Sequence, residues 1–169
     1  RSETVKQASF SHVCDTCAIE MDRLTIAKDY DALASYILRQ EEQYADCNDL
    51  EYAPVFFYIG TGNSVLADHY RCSASADEKE RSIVFRQKAF RKAISLLESS
   101  GDNHAILLPF YTNYANNLDA CGRVIESLRI YRKALSITAT FGMASANYGR
   151  ALIFYANMVN DPAHYRDLH

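Results

Sequence analysis

Tryptophan is absent from this sequence of 169 residues, and glycine (6) and proline (3) are scarce. So few breakers suit long helices with short turns and argue against a many-stranded β fold. Long apolar runs are missing too. The longest, Ala53 to Ile59 and Ala105 to Tyr111, are far too short to span a bilayer. No signal peptide is visible, and the first residue is Arg1 and not Met, as in a trimmed chain. Neither charge sign dominates: 18 Lys and Arg against 21 Asp and Glu leave a net charge of −3. That balance gives no general pull toward nucleic acid or an acidic membrane. Five cysteines are too few for a secreted disulfide scaffold, and odd in number, which points to a reducing, cytoplasmic setting. No glycine-rich phosphate loop and no nucleophile elbow occurs.

What is present is an ordinary soluble composition, 49% hydrophobic and 23% charged, with twelve tyrosines. It is also repetitive. Tyr111-x2-Tyr114-Ala115-x2-Leu118 returns 34 residues later as Ser145-x2-Tyr148-Gly149-x2-Leu152. An earlier copy is Phe56-x2-Ile59-Gly60-x2-Asn63. A second pattern, Ser127-x3-Tyr131-x2-Ala134, has an earlier version in Arg86-x3-Phe90-x2-Ala93. Val124, Leu128, Tyr131 and Leu135 form one helical stripe. The spacing therefore predicts helix hairpins, with Ala115, Gly149 and Gly60 small where two helices of one hairpin cross. Ala134 and Ala93 are expected to let the next hairpin stack. Gly122 fits the turn between helices, where a left-handed conformation is often needed.

This order of large and small positions resembles the tetratricopeptide repeat, whose period is 34 residues. The resemblance is good over 108–141, fair at 142–158 and partial at 53–100. The usual Trp is replaced by Tyr111, Phe56 or Ser145, and the closing Pro by Ala139. The earlier repeat carries about 14 extra residues near Asp68 to Arg81, expected as an enlarged loop or a helix extension. Residues 16–48 read as another helix pair, broken near Asp29-Tyr30-Asp31. The fold class expected is all-α, a single domain over 1–169: a short superhelix of stacked antiparallel hairpins, with a last partial repeat at 142–169.

A narrower resemblance lies in GRVIESLRIYRKALSITATFGMASANYGRALIFYANMVNDPAH, residues 122–164. Phe141-Gly142-Met143-Ala144, Asn147, Gly149, Ala151-Leu152, Tyr155-Ala156, Asp161 and His164 carry it. It is similar to the helical repeat region that precedes a HEPN domain in certain bacterial proteins. Many HEPN domains are RNases with an Arg, four to six residues, then a His. None of His12, His69, His104, His164 and His169 has an Arg at that separation. The resemblance thus implies a context and no activity for this chain, with the catalytic domain expected beyond residue 169.

Three clusters bear on chemistry. Cys14-x-x-Cys17 with His12 lacks the second ligand pair of a zinc site, and reads as core packing, so neither a metal nor a cofactor is expected. Asp161-Pro162, His164, Asp167 and His169 read as a turn opening a further helix. A basic run, Arg81, Arg86, Lys88, Arg91 and Lys92, with Arg123, Arg129, Arg132 and Lys133, offers a stripe for RNA or an acidic partner. Glu78, Glu80 and Glu126 dilute it, as on an ordinary solvated face.

In tetratricopeptide arrays the first helices line a concave face that binds extended peptides. Position by position, that resemblance implies Tyr58 and Thr61, then Thr112, Asn113 and Asn116, then Asn147 and Arg150 as ligand-binding residues. Asn both donates and accepts, so it can hold a peptide backbone without demanding a sequence. Lys and Arg join such Asn residues where a terminal carboxylate is bound, and only Arg150 is so placed here. The same Asn residues equally suit the satisfaction of helix and turn backbones. A protein or peptide partner is the first expectation, and RNA on the basic second-helix face the second.

Overall fold

A computed structural model describes residues 12–71, 76–99 and 104–160. The side chains of His12, Cys14 and His104, together with Cys72 and everything from Asp161 to His169, lie outside the described residues. Among the described residues seven α-helices and one 3-10 turn follow in order: α1 (His12–Ala27), α2 (Tyr30–Gln43), the turn (Leu50–Tyr52), α3 (Ala53–Tyr70), α4 (Ala76–Ser99), α5 (His104–Ala120), α6 (Val124–Ile137) and α7 (Gly142–Asn160). Among the described residues there is no strand, and no helix is long and apolar enough to cross a membrane. The chain divides into two compact units, through residue 100 and from 101 onward.

The break near Asp29 comes where the sequence puts it. α1 closes with Lys28 in the left-handed region at φ 56°. The Asp29 N–H reaches back to the Leu24 carbonyl and the Lys28 N–H to the Thr25 carbonyl, each at 3.1 Å. Those two bonds satisfy carbonyls that a helix end leaves open. The Asp29 carboxylate then caps α2 by accepting from the Ala32 N–H at 3.1 Å. In the second unit α5 ends in the same pattern, with Arg123 N–H on the Leu118 carbonyl and Gly122 N–H on that of Asp119, both at 2.9 Å. There the left-handed residue is the expected Gly122, at φ 77°.

The extra residues of the earlier repeat lengthen both its helices. α3 runs on to Tyr70, and α4 spans 24 residues from Ala76. Asp77 and Glu78 sit in the first turn of α4, where acidic side chains favour the helix dipole.

In the first unit α3 is the packed centre, meeting α4 on one side and α1 and α2 on the other. Its Gly60 and Gly62 explain how. A methyl on Gly60 would fall 2.9 Å from Cε1 and Cζ of Phe90. One on Gly62 would fall 2.6 Å from Ile37 Cδ1 and 3.2 Å from Met21 Sδ. Residues two apart on a helix point in nearly opposite directions, so each glycine opens a different side. Cys17, Met21, Leu24, Leu33, Ile37, Ile59, Phe90 and Leu97 fill the core between these helices.

The second unit repeats the theme with alanine. Ala115 on α5, Tyr131 on α6 and Ala151 on α7 form one buried cluster, flanked by Leu128, Ile130 and Tyr148. Ala115 thus stands to the Tyr131 ring as Gly60 stands to Phe90. Smallness at these positions makes room for an aromatic side chain from the second helix. Ala134 and Ala93 are both fully buried. Gly149 differs: nothing described lies within 4 Å of a methyl there. The further helix expected after Asp161-Pro162 lies outside the described residues.

Candidate functional site

The seven residues expected to bind a ligand divide between the units. In the first, Tyr58 is half-buried and packs edge-on to Phe57, with ring centroids 5.8 Å apart. Thr61 is exposed, but its hydroxyl donates back to the Phe57 carbonyl at 3.0 Å.

The other five lie in the second unit, and the structure separates them. Thr112 is 1% exposed, and its hydroxyl donates to the Leu108 carbonyl at 2.8 Å. It faces the core and offers nothing to a ligand. A threonine at helical spacing from half-buried asparagines carries no mark of which way it turns. The Asn113 side chain donates to the Pro109 carbonyl at 2.9 Å, and Asn117 to the Asn113 carbonyl at 2.8 Å. Both serve their own helix.

Asn116, Asn147 and Arg150 converge. Asn116 Oδ1 accepts from the Tyr131 hydroxyl at 2.6 Å and from Asn147 Nδ2 at 2.8 Å, which ties α5, α6 and α7 together. One turn further along, Arg150 Nη2 meets Asp119 Oδ2 at 3.5 Å. Both α5–α7 links join residues 31 apart. Equal repeats would pair residues 34 apart, so the contacts are shifted by about one helical turn. Asn116 and Asp119 are three apart, as are Asn147 and Arg150. That shared interval was the available signal for Asp119, which was not among the expected residues.

Burial pushes the Tyr131 hydroxyl up to about 12, with the Asp119 carboxylate adding to the rise and Arg150 opposing it. A phenol held neutral is the form that donates to Asn116. The network is therefore structural at its buried end and open at the other. The Arg150 side chain is 67% exposed, against 17% for its partner Asp119. A guanidinium has five donors, and the Asp119 contact engages one nitrogen.

Beyond Arg150, α7 changes character. Leu152, Ile153, Phe154 and Tyr155 are exposed by 40, 66, 52 and 37%. Four consecutive large apolar residues in water are unusual for a solvated helix. Arg150, Ile153 and Phe154, spaced i, i+3 and i+4, share one helix face.

The basic run is largely occupied. Arg86 is buried. Arg81 approaches Glu41 at 3.7 Å, Lys92 donates to the Ala45 carbonyl at 2.7 Å, and Arg91 to the Gln87 carbonyl at 3.3 Å. Arg123 grips Glu126 with contacts of 2.8 and 2.5 Å, and Lys133 lies over the Tyr111 ring at 5.5 Å. Lys88, Arg129 and Arg132 are exposed and form no ion pair among the described residues. Cys17 is 1% exposed, inside the core, and next to Tyr36. Among the described residues no group of three or more His, Cys, Asp or Glu comes together as a metal site.

The chain matches no family model, no curated protein and no solved structure.

Proposed function

We propose that this chain is a non-enzymatic protein-binding module of stacked, superhelical hairpins that recognises an extended peptide segment in the cytoplasm. On the sequence resemblance of residues 122–164, it is the recognising part of a larger HEPN-type protein. The observation that carries the binding role is the exposed apolar run Leu152–Tyr155 beside the exposed Arg150 on α7. Charge and apolarity together define the partner: a segment with an acidic side chain close to an apolar one. Arg150 and Phe154 are about 6 Å apart along the helix axis. Alternate residues of an extended chain are about 6.6 Å apart and point the same way. An acidic residue followed two positions later by an apolar one therefore meets both.

A second reading keeps RNA on α6, where Arg129 and Arg132 are exposed. Most other members of the basic run are buried or engaged, which makes it the weaker account.

Peptide display against the purified chain, followed by anisotropy titration, tests the first reading. Enriched peptides should carry the acid-x-apolar spacing. Arg150→Ala with Phe154→Ser should weaken them at least tenfold, about 1.4 kcal/mol, while Arg129→Ala with Arg132→Ala changes nothing. Peptides without that spacing, or binding indifferent to Arg150 and Phe154, would remove the α7 face from consideration. Tight single-stranded RNA binding lost with Arg129 and Arg132 would establish the second reading instead.

A further inference from the structure

A cleft of about 120 Å³ opens in the first unit, and it is independent of the peptide reading. Its lining combines an apolar floor with charge. Phe56 and Ile59 come from α3, and Phe85 and Ala89 from α4. Glu41 and Ala45 close one side, and Lys88 and Lys92 stand at the rim. A cavity of this order accepts a group the size of a benzene ring or a short alkyl chain.

The cations are arranged along one stripe of α4. Arg81, Phe85, Lys88 and Lys92 follow the i, i+4, i+7, i+11 spacing of a single helix face. Both aromatic walls carry a cation: Lys92 Nζ is 4.3 Å from the Phe56 centroid, and the Arg81 guanidinium 4.6 Å from that of Phe85. Three cations thus face one carboxylate, Glu41. Asn63, itself 3% exposed, donates to Glu41 Oε1 at 3.0 Å, and Arg81 lies 3.7 Å from Oε2. Asn63 and Arg81 hold the Glu41 carboxylate, and Lys88 attracts it through space without forming an ion pair. Lys92 is turned to the Ala45 carbonyl at 2.7 Å. Lys88 is exposed and has no ion pair among the described residues.

We infer that this cleft binds a small monocarboxylate with a short apolar body, its tail between Phe56, Phe85 and Ala89 and its carboxylate at Lys88. Two positive charges in excess over Glu41 select an anion over a cation. The aromatic and aliphatic floor selects an apolar tail over a bare inorganic anion. The cleft volume limits that tail to roughly a six-carbon chain or one ring. Burial raises the Glu41 carboxyl above its ordinary value despite the bond from Asn63 and the nearby cations. Glu41 is therefore less fully ionised than a surface carboxylate, and repels a bound anion less.

Titration of the isotope-labelled full chain with hexanoate, followed by amide chemical shifts, is the direct test. Saturable shifts should centre on Ala45, Ile59 and Ala89, with a Kd of about 1 mM for a ligand of this size. Hexanamide and hexylamine should bind at least tenfold more weakly. Lys88→Ala should cost hexanoate at least tenfold with a nearly unchanged melting midpoint, because Lys88 is exposed and forms no ion pair among the described residues. Glu41→Gln should tighten hexanoate. A blocked peptide ending in free leucine, set against its amide, separates the two sources of such a group. Preference for the peptide acid over hexanoate assigns the carboxylate to a chain terminus, and the reverse assigns it to a free acid. Absence of saturable shifts, equal binding of hexanamide, or hexylamine binding lost in Glu41→Gln would each overturn the inference.

Discussion

The two units solve the same packing problem with different residues. In the first, α3 is enclosed, and glycine is required: Gly60 faces the Phe90 ring at a distance no methyl tolerates. In the second, Ala115 and Ala151 receive Tyr131, whose ring carries a hydroxyl that must find a partner. The phenolic oxygen is met by half-buried Asn116, itself bonded by half-buried Asn147, because a buried donor left alone is costly. The first unit needs no such polar link at Phe90. Tyrosine in place of phenylalanine, together with Asn116 and Asn147, makes the aromatic–small contact part of a three-helix hydrogen-bonded junction.

The largest expected effects separate the small positions. Gly60→Val should destabilise the first unit by about 1–3 kcal/mol, as an overpacked core does. Ala134→Leu should cost the second unit a similar amount, again about 1–3 kcal/mol. Hydrogen exchange, which resolves local opening, should assign each loss to its own unit. Uniform loss of protection across the whole chain after either change would mean that the units do not respond separately.

Next in size is the junction itself. Tyr131→Phe should cost about 1 kcal/mol at neutral pH, measured by denaturant midpoint. The alkaline limb gives the sign. Folding holds the phenol neutral, raising it from about 10 to about 12. Its contribution is whole below pH 10 and disappears as pH rises through 12. The gap between wild type and Tyr131→Phe should therefore shrink over that interval, while Tyr36, also pushed up to about 12 by burial, loses its share in both. A gap constant with pH would disconnect the hydroxyl from the junction.

The smallest effects should be gains. Gly149→Ala should stabilise the second unit by about 0.5–1 kcal/mol, since its methyl meets no described atom and alanine favours the helix. Lys28→Gly should gain up to about 1 kcal/mol by relieving a left-handed side chain. Loss of stability in Gly149→Ala would show that the expected close crossing at that position exists.

Helices were legible wherever a period was. The Tyr111/Tyr114/Ala115 spacing and its copies marked α3, α5 and α7, and Asp29 and Gly122 marked two of the reversals. The shared registers of Gly60 with Ala115 and of Phe90 with Tyr131 were legible too, but not that each small residue makes room for its aromatic counterpart. Orientation within a face was not. Thr112 and Asn113 are neighbours in sequence and look alike in chemistry, yet one is in the core and the other at the surface. A 34-residue offset also says nothing about sliding between helices, so the Asn116–Asn147 contact appeared where Asn113 and Asn147 were expected to correspond. The cleft beside Lys88 joins residues from three helices at unrelated spacings, and no periodic pattern announces it.

Gly60 and Gly62 carry a final consequence, one for how variation accumulates in this chain. They are two residues apart, yet each abuts a different neighbour, Phe90 on one side and Ile37 with Met21 on the other. Adjacent positions are ordinarily those whose substitutions interact most. Here a double substitution should be nearly additive, whereas Gly60 with Phe90, thirty positions away, should be strongly epistatic. A smaller residue at 90 would license a larger one at 60 and leave 62 as constrained as before.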